Sequence, residues 1–173
     1  MNKCYWVTGL SATGKTTLST LLVSHLRSLG KTVIHLDGDE LRQVLADEAY
    51  TREERIALAM RYGRLCNLLS EQGVDVVIAV IGLFKEVHKW NRENITNYIE
   101  IFIDTPLSEL KKRDPKNIYR DFELGVINNV AGIDLKVDIP SNPDIHLKWS
   151  EKSTIDSMFN ELVNSIENRV DVI

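Results

Sequence analysis

Gly9-Leu10-Ser11-Ala12-Thr13-Gly14-Lys15-Thr16 follows the short apolar run Cys4-Tyr5-Trp6-Val7 and leads into a stretch of helical periodicity. The eight residues fit the phosphate-binding pattern G-x-x-x-x-G-K-[ST], with a strand before it and a helix after it, the context that gives the pattern meaning. Gly9 and Gly14 leave room for the backbone to curl around an anion, and the N–H groups of the curled segment then point inward. The Lys15 ammonium reaches the β- and γ-phosphates of a nucleoside triphosphate, and the Thr16 hydroxyl is a ligand for Mg²⁺. A helix opening at Lys15 aims its positive dipole end at the same place. A Gly-rich turn that binds nothing is the alternative, and both the position and the flanks argue against it.

Outward from this loop, apolar runs alternate with helical patterns. Strands are expected at Cys4–Thr8, Val33–Leu36, Val74–Val80, Ile99–Ile103 and Ile145–Leu147. Helices are expected at Lys15–Leu29, Glu40–Ala46, Arg52–Gln72, Lys85–Ile95, Leu107–Lys112 and Thr154–Val170. The run Val74–Val80 is nearly continuous and β-branched, as in a strand covered on both faces. Such alternation implies an α/β fold with a parallel sheet and right-handed crossovers. The chain has 173 residues, 43% hydrophobic and 27% charged, which suits one globular domain over residues 1–173. Its net charge of −4 provides no general field for gathering nucleic acid. No apolar run is long enough to span a bilayer, so no membrane partner is expected. The first strand begins almost at the N-terminus, leaving no room for a signal peptide. Cys4 and Cys66 are too few for a disulfide framework, and a cytoplasmic location is expected.

Ligands of open parallel sheets sit beyond the C-terminal ends of the strands. Asp37, in the Asp37-Gly38-Asp39 end of the second strand, should therefore lie near the phosphate loop. A carboxylate there can take the proton of an acceptor hydroxyl or hold Mg²⁺ through water. Asp39 is expected either to cap the helix beginning at Glu40 or to act in the site. The segment Asp114–Asp144 breaks the β–α rhythm with Pro115, Pro140 and Pro143, yet its Tyr119, Phe122 and Ile127 make it too apolar for disorder. A lid over the phosphates, spanning approximately residues 113–140, is the reading. Lys111, Lys112, Arg113 and Lys116 gather where it begins. With a phosphate loop elsewhere in the chain, Arg113 and Lys116 are candidates for neutralising transition-state charge. His25, His35, His88 and His146 have no metal-ligand spacing. On the C-terminal helix, Ile155, Met158, Phe159, Leu162, Val163 and Ile166 form a core-facing stripe.

These residues resemble the adenylylsulfate kinase family over nearly the whole chain. The likeness runs through Gly9–Thr16, Asp37-Gly38-Asp39 with Arg42, Glu54-Arg55, Ile81, Ile103-Asp104-Thr105-Pro106-Leu107, Arg113-Asp114-Pro115-Lys116-Asn117-Ile118-Tyr119 and Gly132-Ile133-Asp134. It implies a P-loop NTPase three-layer sandwich, a five-stranded parallel sheet flanked by helices, with a lid segment. It also implies transfer of the γ-phosphate of ATP, with Mg²⁺, to the ribose 3′-hydroxyl of a nucleotide, and a homodimer. Carried over residue by residue, Gly9, Ser11, Ala12, Thr13, Gly14, Lys15, Thr16, Thr17 and Arg113 would bind ATP, with Thr16 the metal ligand. Asp37, Asp39, Arg42, Tyr50, Arg55, Ile81, Gly82, Leu83, Lys116 and Val130 would form the acceptor side, and Asp37, Lys15 and Lys116 would be catalytic.

The departures from the family pattern concentrate on the acceptor side. Leu58 stands where members usually have Asn, Ile81-Gly82-Leu83 where Ile-Ser-Pro is usual, Val130-Ala131 where Phe-Thr is usual, and Tyr50 in place of a Phe. The family stacks the acceptor adenine between two rings, and losing one forfeits about 1–3 kcal/mol on a purine. The pattern, with Leu83–Trp90, looks like the branch that phosphorylates cytidine diphosphoramidate for decoration of capsule polysaccharide. Adenylylsulfate itself is the alternative acceptor, and a nucleotide-binding switch is the alternative outside kinase chemistry. The switch is disfavoured by the cation-rich lid and by the absence of a guanine-reading N/T-K-x-D sequence.

Overall fold

A computed structural model describes residues 2–169, and the expected helix end at Val170 lies outside them. Five strands, β1 (Cys4–Thr8), β2 (Val33–Asp37), β3 (Asp75–Val80), β4 (Tyr98–Asp104) and β5 (Ile145–Lys148), pair in the order β2-β3-β1-β4-β5. Every pairing is parallel, with Cys4 opposite Val76 and Tyr98, Val33 opposite Asp75, and Ile101 opposite Ile145. The helices are α1 (Lys15–Ser28), α2 (Gly38–Leu45), α3 (Arg52–Glu71), α4 (Lys85–Asn94), α5 (Leu107–Arg113), α6 (Ile118–Glu123) and α7 (Ile155–Glu167).

The period of two in the strands divides the apolar residues into two cores. Tyr5 and Val7 of β1 face Leu18, Leu22 and Leu26 of α1 and Met158 and Leu162 of α7. Cys4 and Trp6, pointing the other way, pack with Leu58, Ala59, Tyr62 and Cys66 of α3. β1 is thus buried on both faces, which is why it reads as one continuous apolar run. Cys4 and Cys66 are free, buried thiols, and Cys66 is pushed up by its hydrogen bond to Cys4 and by burial.

Three boundaries differ from expectation in ways that matter for the site. β2 runs on to Asp37 and α2 begins at Gly38, so Asp37 rather than Asp39 is the helix cap: its side chain accepts from the Asp39 N–H. The Arg113 end of α5 lies one residue beyond the expected stop. The lid segment contains a short helix, α6, and an isolated bridge between Ala131 and Leu135. Leu110, Tyr119 and Val130 form a small third core beneath it, packed against Leu10 and Ala12 of the phosphate loop.

Candidate active site

At the C-terminal ends of β1, β2 and β3 lies a cavity of about 820 Å³. The phosphate loop forms its floor. Gly14 occupies the N-cap position of α1 with φ +92°, a left-handed conformation that side-chain-bearing residues adopt at a cost. Lys15 Nζ and Thr13 Oγ1 both donate to the Leu10 carbonyl, at 2.7 and 3.0 Å, and so fix the curl of the loop. Ser11, Ala12, Gly14, Lys15, Thr16 and Thr17 line the cavity, whereas Gly9 and Thr13, expected with them, do not: Thr13 is buried and Gly9 lies against the Ile103 backbone.

The loop meets the second strand directly. Thr16 Oγ1 donates to Asp37 Oδ2 at 2.8 Å, and the Asp39 N–H donates to Asp37 Oδ1 at 2.9 Å. Asp37 is 8% exposed, so the carboxylate is held nearly dry with both oxygens engaged. Asp39 pairs instead with Lys116 from the lid. Lys15 therefore sits among Asp39, Lys116 and Asp37. Burial is the largest influence on it and brings its ammonium down to about 8, with Lys116 acting in the same direction and the two carboxylates opposing.

Arg42 of α2 and Arg55 of α3 also line the cavity. Arg42 donates to the Ala49 carbonyl at 3.1 Å, and Arg55 to the carbonyls of Tyr50 and Asn129 at 3.2 and 2.9 Å. Neither forms an ion pair among the described residues, although the two charges are close enough to repel. Burial first, and Arg42 second, hold the Arg55 guanidinium below its ordinary value. Two guanidiniums with no ion-pair partner among the described residues have the chemistry to grip an anion.

The lid closes one wall. Arg113, held by Glu109 at 3.0 Å and lying over the Trp149 ring, lines the cavity together with Pro115, Lys116 and Ile118. Tyr119 donates its hydroxyl to the Ser11 carbonyl at 3.0 Å, tying α6 to the phosphate loop. Gly132 has φ +82°, and a Cβ there would come within 2.9 Å of both Leu10 methyl groups, so this turn seats directly on the loop.

The cavity gathers most of the expected residues: Asp37, Asp39, Arg42, Arg55, Ile81, Gly82 and Lys116 all line it. Tyr50, Leu83 and Val130 do not. Tyr50 is 56% exposed on the outer surface, Leu83 is fully buried beneath the wall, and Val130 belongs to the lid core. In their place Leu58, Ala59, Tyr62 and Phe84 supply the wall. Ala59 and Tyr62 were not expected there, yet their spacing carries the signal. Arg55, Leu58, Ala59 and Tyr62 follow i, i+3, i+4, i+7 and so share one face of α3. No group of three or more His, Cys, Asp or Glu among the described residues could hold a metal, and no described helix is long and apolar enough to cross a membrane.

The sheet order and the anion-cradling loop define a P-loop phosphotransferase fold. A family model described as adenylylsulphate kinase matches residues 1–148, and the chain belongs to that family. It is 39% identical over 135 residues to the cytidine diphosphoramidate kinase of Campylobacter jejuni, covering 78% of this chain and 79% of that one. It is 38% identical over 149 residues to the adenylyl-sulfate kinase of a Synechococcus species, covering 86% and 85%. The APS kinase of Mycobacterium tuberculosis, solved in complex with AMPPNP and APS, superposes with a TM-score of 0.87 at 31% identity, covering 96% of this chain and 98% of that one. The expectation of a nucleotide kinase holds, and the switch reading gives way to it.

Proposed function

We propose that this kinase transfers the γ-phosphate of ATP to the ribose 3′-hydroxyl of cytidine diphosphoramidate. One observation carries the reading: a single cavity is lined by the Thr16 hydroxyl bonded to the Asp37 carboxylate and by Arg42 and Arg55, which form no ion pair among the described residues. A phosphoryl donor fits the first pair and an anionic nucleotide the second. Phosphoryl transfer asks the protein for positioning and charge neutralisation more than for covalent chemistry. The backbone N–H groups of Ser11–Thr16 hold the β-phosphate, and Lys15 bridges β and γ. Arg113 and Lys116 close over the γ-phosphate from the lid. Asp37 orients the 3′-hydroxyl and accepts its proton. The Thr16 hydroxyl and the Asp37 carboxylate are hard oxygen donors of the kind Mg²⁺ takes, and would hold it there. Bound Mg²⁺ neutralises charge on the phosphate oxygens.

The acceptor assignment draws on the wall. The wall of Leu58, Ala59, Tyr62 and Phe84 replaces the pair of positions that the resemblance implies for stacking a purine, neither Tyr50 nor Val130 lining the cavity, which supports an acceptor other than a doubly stacked adenine. The similarity to the Campylobacter jejuni enzyme points the same way. The family model and the Synechococcus relative favour adenylylsulfate as the second reading. An acceptor panel of cytidine diphosphoramidate, cytidine diphosphate and adenylylsulfate, each with ATP and Mg²⁺ and scored for phosphate gained at the 3′ position, separates them. The highest kcat/KM is expected for the amidate. A preference for adenylylsulfate would overturn the acceptor and leave the kinase chemistry standing.

A further inference from the structure

Tyr62 lines the cavity and has no part in the mechanism above. It projects from the same face of α3 as Arg55, two helical turns further on, about 10 Å along the axis. It is 4% exposed, it lines the cavity, and its hydroxyl is buried with no hydrogen-bond partner. The surrounding wall of Leu58, Ala59 and Phe84 offers it none. A buried hydroxyl without a partner is costly, and native proteins leave few of them. The charged groups nearest to it are Arg42, Asp47, Asp39 and Arg61. Asp47 and Arg61 are paired with each other at 3.1 Å, and Asp39 is taken by Lys116. That leaves Arg42, one of the two guanidiniums, as the neighbour still free to share a ligand with the hydroxyl.

We infer that the Tyr62 hydroxyl reads the terminal substituent of the acceptor's 5′ anionic group, the end that Arg42 and Arg55 grip. The inference rests on the acceptor reading above and gives it a specificity residue. Guanidiniums only donate hydrogen bonds, whereas a phenol both donates and accepts. A terminal phosphate or sulfate oxygen takes its hydrogen bonds from the arginines, with the Tyr62 O–H as one donor more. A terminal P–NH₂ needs an acceptor, and Tyr62 Oη supplies it while its own proton goes to a phosphoryl oxygen. Burial pushes this hydroxyl up to about 12, so it stays a neutral O–H across any ordinary assay.

Tyr62→Phe removes the oxygen and keeps the ring. Kinetics with cytidine diphosphoramidate, cytidine diphosphate and adenylylsulfate, at saturating ATP and then at saturating acceptor, test it. KM for the best acceptor is expected to rise about tenfold or more, with the larger loss on the amidate. The preference for amidate over diphosphate then shrinks while the preference for cytidine over adenine stands. KM for ATP and the melting temperature without ligand should not worsen, because the ring still fills its place in the core. A change in base preference at constant amidate-to-diphosphate ratio would overturn the inference, as would unchanged KM for whichever acceptor the wild type uses. A wild type active on adenylylsulfate alone refutes the acceptor reading instead. In that case a raised adenylylsulfate KM in Tyr62→Phe still supports Tyr62 as a reader of the terminal group.

Discussion

Asp37 performs two tasks with two oxygens. Oδ1 caps α2 through the Asp39 N–H, and Oδ2 receives the Thr16 hydroxyl. Asparagine caps a helix about as well as aspartate, so Asp37→Asn preserves α2 and removes the charge that a 3′-hydroxyl and Mg²⁺ would lean on. We expect kcat to fall about 10²- to 10⁴-fold, with KM for ATP rising by a smaller factor as the metal is held less firmly. An unaltered kcat with a raised KM would demote Asp37 to a binding role. At this scale the sequence was informative where one residue type has one use: the spacing of Gly14, Lys15 and Thr16 marks the loop, and Asp37 at a strand end does lie beside it, bonded to Thr16. It was ambiguous at Asp39, read as either a helix cap or a site residue, whereas Asp37 makes the cap. The choice turns on where β2 stops, which side-chain pattern alone leaves open by a residue or two. Tyr62 was illegible because a tyrosine on an arginine-rich helix reads equally well as core, and only packing reveals its orphaned hydroxyl.

Elements with a strong period came through clearly. The continuous β-branched run of β3 and the amphipathic stripe of α7 are set by burial on both faces and on one, respectively. The lid was legible as an interruption but not as a structure. Its α6 is only six residues long and stands by tertiary packing of Tyr119 and Leu110 on the phosphate loop, a long-range contact with no local signature. In the proposed function α3 carries most of the acceptor side, with Arg55 on its first turn and Leu58 and Tyr62 on the face that lines the cavity. Thr51 and Glu54 start it with a reciprocal capping box. The N–H groups of Thr51 and Tyr50 hold the Glu54 carboxyl below its ordinary value. That support is therefore present above the normal carboxylate titration and fades as pH falls through the lowered value. Thr51→Ala should cost about 1 kcal/mol, a fall of roughly 2–4 °C in melting temperature. Because Arg55 rides on that turn and hydrogen-bonds the Tyr50 carbonyl, KM for the acceptor should rise severalfold with KM for ATP steady. Equal effects on both substrates would show that the turn supports the fold generally rather than the acceptor side.

Across the whole molecule the charge of −4 conceals a concentrated arrangement. The order of strands, with β1 between β3 and β4, could not be read from local pattern, since parallel neighbours are joined through distant helices. Yet that order creates the site. It sets the tip of β1 beside the tips of β3 and β4, with β2 next outward, and thereby brings charges from four elements around Lys15: its own loop, Asp37 ending β2, Asp39 in α2 and Lys116 in the lid. Burial dominates, and the Lys15 ammonium falls from 10.5 to about 8. An unfolded chain keeps that proton to higher pH, so between these values folding releases a proton and the contribution of Lys15 to stability improves as pH rises. Binding has the opposite sign. A triphosphate tail recruits the ammonium form, so nothing is taken up below about pH 8, whereas above it each bound nucleotide must bring a proton to Lys15. The dissociation constant of the non-hydrolysable analogue AMPPNP, measured by calorimetry, should stay flat below about pH 8 and then rise up to about tenfold per pH unit. In two buffers of different ionisation enthalpy, the same titration should report net proton uptake on the alkaline side alone. In Lys116→Gln the neighbouring positive charge is gone, and the break should move to higher pH. A dissociation constant indifferent to pH across this range would mean that the nucleotide does not engage Lys15.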